Sequence, residues 1–470
     1  MTDLPIKVQA EQLTKSKSDF GKSGFALFKL TALLIAIFVC ACVFRFVIVF
    51  TPAISERNIR PYARCMNYAI AAKNIRGGHG CTIGVEQKKQ AYADFKKSES
   101  MIPDHPESIV ELANDQTHGP FVDEIGYLLL TLGLANVSGE VSYYNAIYLQ
   151  IFLSSIFAVL ACAITFQLSR SLVFAGLIGV AIAFNPLEAM VSVLPDLPIW
   201  AWYATIASFA VGYVAVRAKV NPKLTDWGVC ILLGLLVGFC VSVRLLSLVF
   251  PVTLLMYALL RFRFFSKTRV TVFLVAVVVS IVSVKSFDFG VPTVGRSAFW
   301  HTLLGGMSEF GDIEGLEWKD GVIDNYIQQR HGDLEPLTPE YSAAAKKQYW
   351  QELSDRPKLP VQVFLQRVGN FLVAYRPTKN GLPLVVAFAM LKIFALAGFV
   401  AAYRRLGQHG RILLTFAALL GLANLFSHAL IVPLLEVYIL PILITLCLLA
   451  TMAILWFFPS KQDKDTVINA

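Results

Sequence analysis

The stretch "DEIGYLLLTLGLANVSGEVSYYNAIYLQIFLSSIFAVL", residues 123–160, holds two apolar runs of different kinds. The first, Ile125 to Ala135, is too short to cross a bilayer, which takes about 20 apolar residues in a helix; the second, from about residue 143, is long enough. A carboxylate pair, Asp123 and Glu124, stands directly before the short run. The pattern predicts a short helix buried against a bundle or dipped into the membrane interface, followed by a true span. Acidic residues in a first helical turn are favoured by the helix dipole by about 0.3–1 kcal/mol, a role that requires no chemistry. The same pair would also present carboxylates at the membrane edge.

The composition extends this reading to the whole chain. Of its 470 residues, 56% are hydrophobic and 16% charged, and mean hydropathy is +0.61. Soluble domains carry about a quarter charged residues, so the chain is expected to be an all-α polytopic membrane protein. Spans are predicted near 25–50, 143–168, 172–190, 198–216, 227–243, 245–260, 270–287, 381–403, 411–431 and 434–458, about ten in all by window hydropathy. The net charge of +9 follows topology. Arg170, then Arg217, Lys219 and Lys223, then Arg261, Arg263, Lys267 and Arg269, then Arg404, Arg405 and Arg411 fall between alternate spans, with Asp226 nearly alone against them. Short loops enriched in this way face the cytoplasm. Both ends, 1–24 and 459–470, are expected on that side as cytoplasmic tails flanking a membrane domain over 25–458. The first apolar run reads as a retained anchor. No basic face or nucleic-acid motif collects the cations, so no nucleic-acid partner is expected, and the lack of a Gly-rich phosphate loop argues against an ATP-driven pump.

Two long segments, 51–142 and 288–380, fall on the outer side and exceed what a connection needs. Within the first, "NIRPYARCMNYAIAAKNIR" (58–76) reads as a helix lying along the outer surface and stopping at Gly77-Gly78. Cys65 and Cys81 share this segment. They form a disulfide if the compartment is oxidising and are otherwise two free thiols. His79 alone leaves a zinc set short of four ligands, and no metal site is assigned.

Several ionisable residues at the outer edge are candidates for chemistry. Asp196, between Pro195 and Pro198, is pinned at the mouth of the bundle and reads equally as a helix cap. Arg244, Lys285 and Arg296 are candidates for holding a phosphate, whereas Arg45 is expected to snorkel to the interface. His301 is expected at the outer surface, either as a phosphate or hydroxyl ligand or as half of an interfacial Trp-His pair. Trp318, Asp320 and Tyr326 are candidates for a sugar-stacking surface, and His428 reads as a packed residue.

Residues 123–160, "AFNPLEAMVSVLPDLP" (183–198), "GLLVGFCVSVRLLSLVFPVTLL" (234–255) and "AFWHTLLGGMSEFGDIEGLEWKDGVIDNYI" (298–327) follow a first span and a long outer loop. This order resembles bacterial GT-C membrane glycosyltransferases, relatives of protein O-mannosyltransferases and of the lipid A aminoarabinose transferase. The resemblance implies a GT-C-like bundle in the plasma membrane that moves a sugar from a polyprenyl-phosphate donor to an envelope lipid, glycan or protein on the outer face. It also implies a catalytic carboxylate in the first outer loop, which here is Asp123, Glu124 or Glu56, with Asp196 at the acidic position of the second. Glu436-Val437-Tyr438 stands where an Arg-Tyr pair is common. No cofactor is required, although carboxylates beside a phosphate can share a divalent ion. Two other readings stay open: a flippase for a lipid-linked glycan, and a GT-C-like scaffold without turnover.

Overall fold

The computed structural model describes residues 28–48, 63–81, 83–84, 117–118, 125–139, 143–169, 171–185, 189, 204, 206–207, 224–260, 265–286, 298–310, 313–334, 336, 338–373, 382–405 and 407–431. Both expected tails, nearly all of 198–216 and all of 434–458 lie outside them, as do Glu56, Asp123, Glu124, Asp196 and Arg296.

The protein is overwhelmingly helical. Its membrane part is built from α1 (Phe28–Ile48), α3 (Ile125–Ser138), α4 (Tyr143–Ser169), α5 (Leu172–Ala183), α6 (Leu224–Val243), α7 (Val249–Leu260), α8 (Lys267–Lys285), α13 (Leu382–Arg405) and α14 (Gln408–Ile431). Among the described residues, α1, α6 and α8 are long and apolar enough to cross a membrane. At 1.5 Å per residue the 12 residues of α5 cover only about 18 Å, less than a hydrocarbon core of about 30 Å.

Helices α6 and α8 run parallel at unusually close range. A Cβ at Gly234 would lie 2.5 Å from the Phe273 carbonyl oxygen and 2.7 Å from the Ala276 Cβ, and one at Gly238 would lie 2.6 Å from the Ser280 Cβ. Spaced four apart, the two glycines let the backbones meet, as small residues do in membrane helix pairs. The Ser280 hydroxyl donates across the seam to the Leu235 carbonyl at 2.8 Å. Where both helices begin, buried Arg269 lies 3.9 Å from Asp226, so an acidic residue among these cations pairs with one of them. Gly238→Leu is expected to lower the yield and the melting temperature of detergent-purified protein, whereas Gly228→Leu on the same helix, where a Cβ meets nothing within 4 Å, leaves both unchanged.

Arg45 corrects an expectation. Instead of snorkelling it is fully buried and donates to the carbonyls of Ala183 at 2.8 Å, Ile182 at 3.2 Å and Ala41 at 3.3 Å. Its charge meets carbonyls at the end of α5, which carry the negative end of the helix dipole.

The first outer segment contributes α2 (Ala63–Arg76) and a two-residue antiparallel pair, Ile83–Gly84 with Thr117–His118, in which Ile83 faces His118. The helix stops as expected: Gly78 takes φ 78° and the His79 amide donates to the Asn74 carbonyl at 2.8 Å. It does not lie on the surface, because Tyr68, Ala69, Ile70, Ala71 and Ala72 are all buried. Five consecutive buried residues leave no solvent face, and Tyr68 packs on Tyr127 of α3 with ring centroids 4.8 Å apart.

Among the described residues the second outer segment forms four helices with their own core: α9 (Phe299–Gly306), α10 (Asp320–His331), α11 (Pro339–Asp355) and α12 (Leu359–Val373). Leu304, Ile313, Leu316, Ile323, Ile327 and Val363 are among the buried residues at its centre. Thr338 caps α11 through the Tyr341 amide, with Pro339 at the first helical position.

Candidate active site at the outer end of the bundle

The parallel register of α6 and α8 decides which candidates can meet. Arg244 follows Gly238 by six residues, and Lys285 follows Ser280, the contact of Gly238, by five. The two cations therefore emerge at the same end of the pair. Lys285 is exposed in the last turn of α8, whereas Arg244 is half-buried where α6 gives way to a 3-10 turn, Leu245–Leu248.

Helix α3 begins on this same spot. A Cβ at Gly126 would lie 2.7 Å from the Ser242 carbonyl carbon and 2.7 Å from the Val243 amide nitrogen. Only a glycine admits so close a backbone approach. Ile125, Gly126, Tyr127 and Leu128 are buried, so the helix expected from the short apolar run starts seated against the last residues of α6, one position from Arg244.

Helix α14 carries Asn424 and His428, both buried. The Arg244 guanidinium is an electrostatic neighbour of the His428 imidazole, whose Nδ1 lies 2.8 Å from the Asn424 carbonyl oxygen. The buried Ser247 hydroxyl, in the 3-10 turn, and the Asn424 side-chain amide find no hydrogen-bond partner among the described residues. Buried polar groups are ordinarily paired. A cation, a hydroxyl and an amide donor are groups that suit an anionic, oxygen-rich ligand.

The remaining candidates lie elsewhere. His301 is not on the surface: it is 6% exposed inside the outer helical unit, with Nδ1 2.8 Å from the Tyr341 hydroxyl. Tyr341 donates in turn to Asp324 Oδ1 at 2.7 Å. Tyr326 offers no stacking face to a sugar, because it is buried and covered by Arg330, whose guanidinium carbon lies 3.5 Å from the ring centroid. Its hydroxyl donates to Glu352 Oε1 at 2.5 Å, and burial together with that carboxylate pushes its pKa up to about 12. Trp318 packs against Gly305, and the Asp320 side chain lies outside the described residues. Cys81 is a buried free thiol whose pKa burial pushes up to about 12; the Cys65 side chain lies outside the described residues. Among the described residues no three His, Cys, Asp or Glu side chains converge as a metal would require.

Sequence inspection passed over Arg367, which ties the outer unit to the membrane part. It is buried and donates to Glu309 Oε2 at 2.7 Å, the Ala429 carbonyl at 2.9 Å and the Gly306 carbonyl at 2.5 Å. It thus caps the ends of α14 and α9 together. Burial lowers its pKa and Glu309 opposes that shift. An Arg on the buried stripe Val363–Arg367–Phe371 is the signal that could have found it.

No protein-family pattern matches the chain, and no curated protein matches it. Among solved structures it is similar to the archaeal oligosaccharyltransferase AglB from Archaeoglobus fulgidus, determined in complex with an inhibitory peptide and a dolichol-phosphate. The TM-score is 0.50 at 14% identity, over 93% of this chain and 51% of that one. The chain thus spans about half the length of that enzyme. At this identity the likeness is one of fold alone.

Proposed function

We propose that the protein is a glycosyltransferase that moves a sugar from a polyprenyl-phosphate donor to an envelope lipid, glycan or protein on the outer face of the plasma membrane. The observation that carries this reading is the seating of α3 on the end of α6 beside Arg244. The chain directly before Ile125 carries Asp123 and Glu124, and the proposal has a carboxylate from that stretch act together with Arg244. The likeness to a dolichol-phosphate-binding enzyme supports the same donor class.

In the proposed reaction the acceptor nucleophile attacks the anomeric carbon, the bond from that carbon to the phosphate oxygen breaks, and polyprenyl phosphate leaves with the bonding electrons. A first-loop carboxylate, Asp123 or Glu124 with Glu56 as the further candidate, takes the acceptor proton. Asp196 serves in the proposal as an alternative base or acceptor-binding group, while Arg244 and Lys285, with Arg296, hold the phosphate. Attack opposite the leaving group inverts the anomeric configuration.

The test incubates purified protein with a panel of polyprenyl-phosphate sugars and candidate acceptors, following free polyprenyl phosphate by mass spectrometry. Release by wild type and its loss in Asp123→Asn or Glu124→Gln, with the variants still folded, is the expected result. Full release by both variants and by Glu56→Gln and Asp196→Asn removes the carboxylate mechanism. Movement of the lipid across vesicles without cleavage points to a flippase instead.

A further inference from the structure

Helix α12 carries three different faces. Val363, Arg367 and Phe371 form the face buried in the protein. Gln362, Gln366 and Asn370, at the same four-residue spacing, are exposed and polar. Val361, Leu365 and Leu372 form a third stripe, 59%, 60% and 59% exposed, with half-buried Val368 between the last two. A helix facing only protein and water has no use for that stripe.

The surroundings say what covers it. The Phe364 ring lies 5.8 Å from that of Phe426 on α14, and Lys392 of α13 donates to the carbonyls of Phe371 and Leu372 at the end of α12. Lys392 stands ten residues into α13, about 15 Å along its axis from the outer end. The end of α12 is therefore held beside α13 well below the start of that helix. The two helices that hold α12 carry exposed apolar side chains of their own, Met390, Ile393 and Leu396 on α13 and Phe426 and Leu430 on α14. Directly ahead of α12 stand two exposed cations, Lys358 and Arg356, the latter paired with Glu352 at 3.3 Å.

We infer that α12 is an interfacial helix, with Val361, Leu365 and Leu372 in the acyl chains of the outer leaflet, Gln366 and Asn370 toward water and Arg356 and Lys358 at the headgroups. The outer unit is then anchored to the lipid itself as well as to α14, a property independent of the proposed reaction. A helix with one apolar and one polar open face lies in the interface plane with its apolar side about 5–10 Å deep.

The test places a nitroxide through Val361→Cys, Leu365→Cys, Gln366→Cys, Asn370→Cys and Leu372→Cys in the full chain, each position being exposed. The protein is reconstituted in phosphatidylcholine–phosphatidylglycerol vesicles, and the signal of identically treated wild type is subtracted for the native cysteines. Collision rates with oxygen, which concentrates in acyl chains, are compared with those of a water-soluble nickel chelate. Oxygen is expected to dominate severalfold at positions 361, 365 and 372, and nickel at 366 and 370. Nickel dominating at all five overturns the inference. So does low access to both reagents with spin–spin broadening at 365 and 372, which would mean a second copy of the chain covers the stripe.

Discussion

Replacing Arg367 with Ala is expected to destabilise the protein by about 3–5 kcal/mol, the cost of breaking a buried ion pair from one side. The Glu309 carboxylate, 17% exposed, loses the guanidinium 2.7 Å away, and the Gly306 and Ala429 carbonyls lose their donor. Because those carbonyls belong to α9 and α14, the damage falls on the joint between the outer unit and the membrane part. The melting temperature of detergent-purified protein should drop, and limited proteolysis should cut first within 298–373. Arg367→Lys should recover only part of the loss, since one ammonium cannot reproduce a planar fork that bonds three acceptors. Adding Glu309→Gln to Arg367→Ala should recover some stability by removing the stranded charge. An unchanged melting temperature in Arg367→Ala would show that the joint is held by apolar packing alone.

Arg367 also marks the limit of what could be read from the chain. Hydropathy and charge placed the apolar segments well: the span expected at 143–168 is helix 143–169, and the short run after the acidic pair is helix 125–138. Those features depend on residues near each other in sequence. The roles that were misread depend on distant neighbours. Arg45 looks like a snorkelling cation until α5 ends beside it, 137 and 138 residues away. Segment 58–76 looks like a surface helix because its charges are local, whereas its burial comes from α3 and neighbouring elements. Tyr326 and His301 carry functional-looking groups whose partners, Glu352 and Tyr341, lie on a different helix. Gly234 and Gly238 were visible as letters, yet their meaning lies in Phe273 and Ser280.

The same dependence shapes the candidate site. Arg244 was singled out as an ionisable residue at membrane depth, which is costly without a purpose. Its neighbours Ser247, Asn424 and the start of α3 could not be assembled from sequence, because α14 lies nearly 180 residues further on. A reading of isolated charges ranks Arg244, Lys285 and His301 alike. The fold separates them: Arg244 is half-buried with the buried His428 as an electrostatic neighbour, Lys285 projects from a helix end, and His301 belongs to the interior of the outer unit.

That separation yields the sharpest functional expectation: under the proposed reaction, Arg244→Ala lowers polyprenyl phosphate release by about 10²–10³-fold, the scale of losing one preorganised donor at a developing charge. A phosphodiester donor carries one negative charge and the departing monoester approaches two. A guanidinium beside the leaving oxygen therefore binds the transition state more strongly than the bound donor, and the loss should fall mainly on kcat. Arg244→Lys keeps the charge without the fork and should be intermediate. Lys285→Ala should cost far less, since an exposed charge is screened by water and salt. The melting temperature of each variant separates this role from a structural one, because a fall in release with stability retained belongs to the chemistry. Release at the wild-type rate from Arg244→Ala would move the leaving-group site away from the α6–α7 turn and transfer the question to Arg296 and the residues around it.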